Sequence, residues 1–407
     1  MQDQVRVTFP ASTRWVDNVS KWSLYVLNRL GVPRAALVAS FLVCIASAGA
    51  ATAAATPSAT SRSGVDSGVV TLRTTNDAGL CAAAPTATTS AGIACPTFPL
   101  YYSAPEGRAH GLVVVFHGHG HNGEQYPAQL AEIAARDHVV AVAMNTDELA
   151  SNKPSYRGPF DSVDEEARAA AAAIAWARDT YKTGNETYLL GVSMGGSGLA
   201  YFMDAATRPA AGDVDATWVQ SFAPLPLAGL VDAEGISNLA ETWAEATGFD
   251  KTSAAEIEGE TAGTPATAPA AYRSRSLALL PTSQWLATGL RAVAVVHDVN
   301  DGLVPYNQTL EARAAVLAAG IPLRSYDVVF KDFCTQGNQT TLTSDFTTLL
   351  PGFPSQESEV ALCLAGHANE NDPTTPIMEA AVVALKALVD GQSTTSVSVV
   401  NPTRPAV

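Results

Sequence analysis

The chain has 407 residues, 47% of them apolar, and a formal net charge of -15 at pH 7. That is enough apolar sequence for one large domain, or two modest ones, with a sizeable core. The acid excess excludes partners that need a basic surface, namely nucleic acid and anionic membrane.

Residues 1–50 run against this charge balance, with Arg6, Arg14, Lys21, Arg29 and Arg34 facing only Asp3 and Asp17. Arg34 precedes an apolar run, Ala36 to Ile45, and the small-residue triplets Ala46-Ser47-Ala48 and Ala48-Gly49-Ala50 follow. A basic flank, a short apolar core and small residues are the parts of a secretory signal. We therefore expect a secreted protein with residues 1–50 as its signal peptide. If the uncharged stretch is retained as a membrane anchor, the protein is extracytoplasmic but membrane-bound. Residues 51–66, rich in Ala, Thr and Ser, read as a flexible linker. Beyond Cys44 lie Cys81, Cys95, Cys334 and Cys363, an even number consistent with two disulfides in an exported protein. Proximity favours Cys81–Cys95 and Cys334–Cys363 among the three pairings.

Residues 67–391 read as one domain. Weak alternation predicts strands at 68–74 and 97–103. Gly111 to Phe116 and Val139 to Met144 are continuous apolar runs, the mark of strands buried on both faces of a parallel sheet. Between them 128–136 has helical spacing, with Pro127 suited to the first helical position. Ser162 and Glu165 form a capping-box pattern opening an Ala-rich helix to about Tyr181. Strands at 187–192 and 216–222 follow, with a helix between them. Residues 230–276 break the rhythm and read as a lid-like insertion. The sheet resumes at 292–297, then a helix (308–319), a strand (324–330) and a last helix (375–389), leaving 392–407 as a disordered tail. Repeated alternation of strand and helix gives an α/β class with a mostly parallel central sheet and helices on both faces.

Three segments carry chemistry. In Gly191-Val192-Ser193-Met194-Gly195-Gly196 a serine sits at the tip of a strand-to-helix turn, and small residues on either side let the backbone bend. Ser193 is the candidate nucleophile. The strand at 292–297 delivers Asp298 and Asp301 into a loop ending Val304-Pro305, and late in the chain Gly366-His367 offers a base. His117 and His297, at strand ends, read equally as structural groups. His117, His119 and His121 alternate as metal ligands do, but no carboxylate is spaced to complete a site, so neither metal nor cofactor is expected.

The order Ser, Asp, His resembles the α/β-hydrolase superfamily over roughly residues 97–390, most specifically at the 191–196 turn and at Asp301-Gly302-Leu303-Val304-Pro305. The resemblance implies an α/β-hydrolase fold and a serine hydrolase. Ser193 would attack an acyl carbon, His367 would shuttle its proton, and Asp301, preferred over Asp298, would orient His367. His117-Gly118-His119-Gly120 matches the loop that supplies one oxyanion donor, which implies the amides of His119 and Met194. A Cys334–Cys363 bond would brace the approach to His367. The implied substrates are small-molecule or polymeric carboxylic esters. A serine peptidase of the prolyl-oligopeptidase type is the alternative, and a non-catalytic binding protein on the same fold a more distant one.

Overall fold

The computed structural model describes residues 64–73, 97–146, 162–207, 227–249, 251–299, 301, 303–328, 367 and 375–400. All belong to the compact unit Ser61–Val407; the unit Met1–Thr60 lies outside the described residues. So do the expected signal segment, most of the linker, the four cysteines and the strand expected at 216–222.

Nine strands form one sheet: β1 (Val65–Arg73), β2 (Thr97–Pro105), β3 (Leu112–Phe116), β4 (Val140–Met144), β5 (Thr187–Val192), β6 (Leu227–Ala233), β7 (Ala292–Asp298), β8 (Leu323–Val328) and β9 (Ser396–Val400). Their lateral order is β1-β2-β4-β3-β5-β6-β7-β8-β9. β2 runs antiparallel to both β1 and β4, and every other pair is parallel.

The apolar runs become the central strands because both of their faces are covered. In β3, Leu112, Val114 and Phe116 join a core with the Ala-rich helix α2 (Val163–Tyr181) and with α3 (Gly195–Thr207). Val113 and Val115 point the other way, into a core with α1 (Pro127–Asp137) and the late helix Pro376–Val389. The period of two along a strand thus sorts one apolar run onto two helix layers. Alanines 169, 170, 171 and 173 of α2 are fully buried, so the helix can lie close to its neighbours. Pro127 opens α1 as expected.

Three expectations are corrected. The stretch 230–233 is part of β6, so the excursion begins after it; the run was misread because Gly229 and Asp232 interrupt its apolar pattern. Beyond β6 come helices α4 (Leu239–Phe249), α5 (Lys251–Thr261), α6 (Pro269–Ser274) and α7 (Thr282–Ala287). After β7 come α8 (Tyr306–Ala318), β8 and α9 (Pro376–Val389). Second, Ser162 makes no side-chain cap on α2, because its backbone is not extended (ψ 3°). Asp164 Oδ1 instead accepts the amide of Glu165, and Glu260 Oε1 accepts that of Asp164. Third, the expected tail contains β9, paired in parallel with β8 from Ser396 to Val400, and the linker yields its last two residues to β1. β9 alternates half-buried and exposed residues, with Val397 and Val399 outward, as an edge strand does.

Candidate active site

Ser193 follows β5 with φ +54°, a left-handed conformation that costs a non-glycine residue about 1–2 kcal/mol. Neighbouring hydrogen bonds hold it there. Its amide donates to Ala233 O at 3.1 Å, and its carbonyl accepts from Ile236 N and Gly196 N, each at 2.9 Å. The nucleophile turn is therefore bonded in both directions to the turn that leaves β6. Gly196 makes that approach feasible: a Cβ there would lie 2.7 Å from Gly235 Cα. Gly195 packs against Phe116 O with no space for a side chain.

The structure brings together the three residues singled out in the sequence. His367 Nε2 lies 3.0 Å from Ser193 Oγ, and its Nδ1 lies 2.7 Å from Asp301 Oδ2. An ionised carboxylate only accepts, so Nδ1 carries the proton and Nε2 accepts from the Ser193 hydroxyl. All three side chains are buried. Asp301 Oδ1 accepts the amides of Leu303 (2.7 Å) and Val304 (3.1 Å), which fixes the carboxylate at the end of β7. Burial pushes the Asp301 carboxyl up, but His367 and His297 more than reverse this and hold it well below the usual carboxylate range.

His297 is the histidine beneath this group. Its Nε2 donates to Val304 O at 2.8 Å, so its Nδ1 accepts from Thr309 Oγ1 at 2.5 Å. The same Nε2 lies 3.4 Å from Asp301 Oδ2. Its role is structural: it ties β7 to the Asp301 loop and to α8.

Sequence reasoning missed Glu234. This fully buried residue, with φ +51°, follows β6 and places Oε2 3.4 Å from His367 Nδ1. Its Oε1 accepts the amide of Asp298 at 3.2 Å. The signal was an acid followed by glycine directly after a strand, Glu234-Gly235, hidden because residues 230–276 read as a lid-like insertion. Glu234, Asp301 and His367 could together offer ligand atoms to a cation. Both ring nitrogens of His367 are already engaged by Asp301 and Ser193, so the hydrogen-bonded reading accounts for the cluster.

The loop after β3 is held from two sides. The amide of the buried His117 donates to Glu166 Oε1 of α2 at 2.8 Å. His119 Nε2 meets Glu256 Oε2 of α5 at 2.9 Å. Neither glutamate stood out in the sequence, because each reads as one more charge on an amphipathic helix. The amide of Met194 has no acceptor among the described residues, at the start of α3. Asp232 of β6, also buried, accepts from Ser237 Oγ at 3.1 Å while its Oδ1 has no hydrogen-bond partner among the described residues. Burial pushes its carboxyl up to about 6, against the opposing effects of Ser237 and His297.

No protein-family model matches the chain, and no curated protein matches it. Among solved structures it is similar to carboxyl esterase 2 from the mycorrhizal fungus Tuber melanosporum, at 11% identity and TM-score 0.49 over 84% of this chain and 89% of that one. It is also similar to a mutant of the esterase rPPE, at 14% identity and TM-score 0.47 over 82% and 85%. A lipase/esterase from Lactobacillus plantarum aligns at 15% identity and TM-score 0.43 over 64% and 91%. The strand order read above settles the architecture: a parallel sheet with one antiparallel strand near its edge and a serine turn after the central β5 is the α/β-hydrolase fold.

Proposed function

We propose that the protein is a serine hydrolase that cleaves carboxylic esters through an acyl-enzyme on Ser193. The observation that carries this reading is the relay from Ser193 Oγ to His367 Nε2 and from His367 Nδ1 to Asp301 Oδ2. His367 accepts the Ser193 proton as the oxygen attacks the acyl carbon, and then gives it to the departing alcohol. Water then attacks the acyl carbon as His367 takes its proton; collapse breaks the bond to Ser193 Oγ, His367 returns the proton to that oxygen, and the acid leaves. Asp301, ionised and fixed by two backbone amides, keeps the imidazole in the required tautomer and stabilises its cation.

The oxyanion of the tetrahedral intermediate falls to the amide of Met194, at the positive end of α3, and to that of His119 on the loop braced by Glu166 and Glu256. An ester suits this machinery because its leaving oxygen needs one proton, which His367 supplies. Export across a membrane and disulfide bonding belong to the same reading, on the basis of residues 1–50 and the four remaining cysteines.

The test is labelling with a fluorophosphonate probe, followed by a panel of p-nitrophenyl esters and peptide anilides. The wild type is expected to label and to turn over the esters, and Ser193→Ala to lose both by about 10⁴-fold or more. A wild type that neither labels nor hydrolyses would remove the reading. Faster turnover of the anilides would make it a peptidase.

A further inference from the structure

Two carboxylates, not one, face Nδ1 of His367, and they arrive from adjacent strands. Asp301 comes from the β7 end at 2.7 Å and Glu234 from the β6 end at 3.4 Å. Glu234 has not merely drifted there. Its backbone is held in the left-handed region, its amide donates to Val296 O at 2.8 Å, and its second oxygen receives the Asp298 amide. It stands between Ala233 and Ile236, which both hydrogen-bond the backbone of Ser193. One short turn therefore clamps the nucleophile by its backbone and meets the base by its side chain. A left-handed non-glycine residue persists only where its surroundings over-determine it.

We propose that Glu234 is a second acid for His367, a positioning residue whose carboxylate shares the Nδ1 proton with Asp301 and strengthens the hold on the imidazolium. This rests on the serine hydrolase reading above. The ring can rock between two acceptors while keeping Nε2 toward Ser193. It meets the alkoxide-generating and alcohol-releasing steps with two anions on its far side. In a buried site an added anion beside a histidine raises its proton affinity. The charged groups that meet the ring are Asp301 and Glu234; behind them His297 lies against Asp301, the Asp298 amide meets Glu234, and Asp232 on β6 interacts with His297.

The decisive variants are Glu234→Gln, Asp301→Asn and the pair together, in the full chain, each checked for a native thermal transition. For E234Q we expect kcat on a p-nitrophenyl ester to fall about 10-fold with little change in KM. The acid limb of its kcat/KM profile should move to lower pH by about 1 unit. Glu234→Asp, which keeps the charge, should restore the limb toward its wild-type position. D301N should retain at least about 10-fold more activity than the double variant, because Glu234 takes over the ring. An unmoved acid limb in E234Q, or equal activity of D301N and the double variant, would overturn the proposal. These results differ from failure of the function itself, in which the wild type would not react with a fluorophosphonate at all.

Discussion

At the scale of single residues, the buried acids near the end of β6 and β7 behave oppositely. Asp301 is held ionised by His367 and His297, so its charge persists across neutral pH. The acid limb of activity should therefore report the His367 ring and its surroundings. At Asp232 burial outweighs the opposing effects of Ser237 and His297, and its carboxyl is raised to about 6. An acid whose folded value lies above its unfolded value near 4 binds its proton more tightly when folded. Stability from this site is therefore greatest below pH 4 and declines as pH rises to about 6. Asp232→Asn removes that decline. It should leave the unfolding free energy nearly unchanged at pH 4 and raise it at pH 7, by up to about 3 kcal/mol. Chemical denaturation at both pH values measures the difference, and equal effects at the two would refute the assignment. Ser193, Asp301 and His367 were legible in the sequence because a strand-to-turn serine and a following acid and base leave a recognisable order. Glu234 was not, because a carboxylate that acts at close range has the same one-letter appearance as one that faces solvent.

At the scale of elements, the apolar runs of β3, β4, β5 and β7 were readable since strands covered on both faces need no polar interruptions. β6 was lost through Gly229 and Asp232. Gly229 stands where a Cβ would lie 3.0 Å from Tyr188 and Leu388, and Asp232 is a buried carboxyl that accepts from Ser237, so both are explained only by three-dimensional neighbours. The contact of the β5 and β6 turns is a close joint between elements at the site. Gly196→Ala should separate them, since the new methyl meets the backbone of Gly235 and Ile236 at 2.7 Å. We expect a destabilisation of about 1–3 kcal/mol. Esterase activity should fall further than stability requires, because Ser193 shifts with the turn. Thermal melting and turnover measured on one preparation separate the two effects.

At the scale of the whole molecule, the sheet extends one strand further than its sequence advertised. β9 alternates Ser and Val over only five residues, too short a signal to distinguish from a tail until β8 is there to receive it. Deleting residues 392–407 should strip the hydrogen bonds that β8 makes to β9 and cost about 2 kcal/mol, a fall in Tm of roughly 3 °C. A disordered tail would leave the melting temperature unchanged. The bidirectional pairing of Ser193 with Ala233 and Ile236 has a consequence of another kind. Neither amide can reach solvent deuterium while the other end of the clamp stays closed, so their exchange should be correlated, with Gly196 joining because it shares the Ser193 carbonyl. A covalent adduct on Ser193 would then slow exchange at Ile236, a residue forty-odd positions away along the chain. The acyl-enzyme would write its presence into a turn that carries none of its atoms.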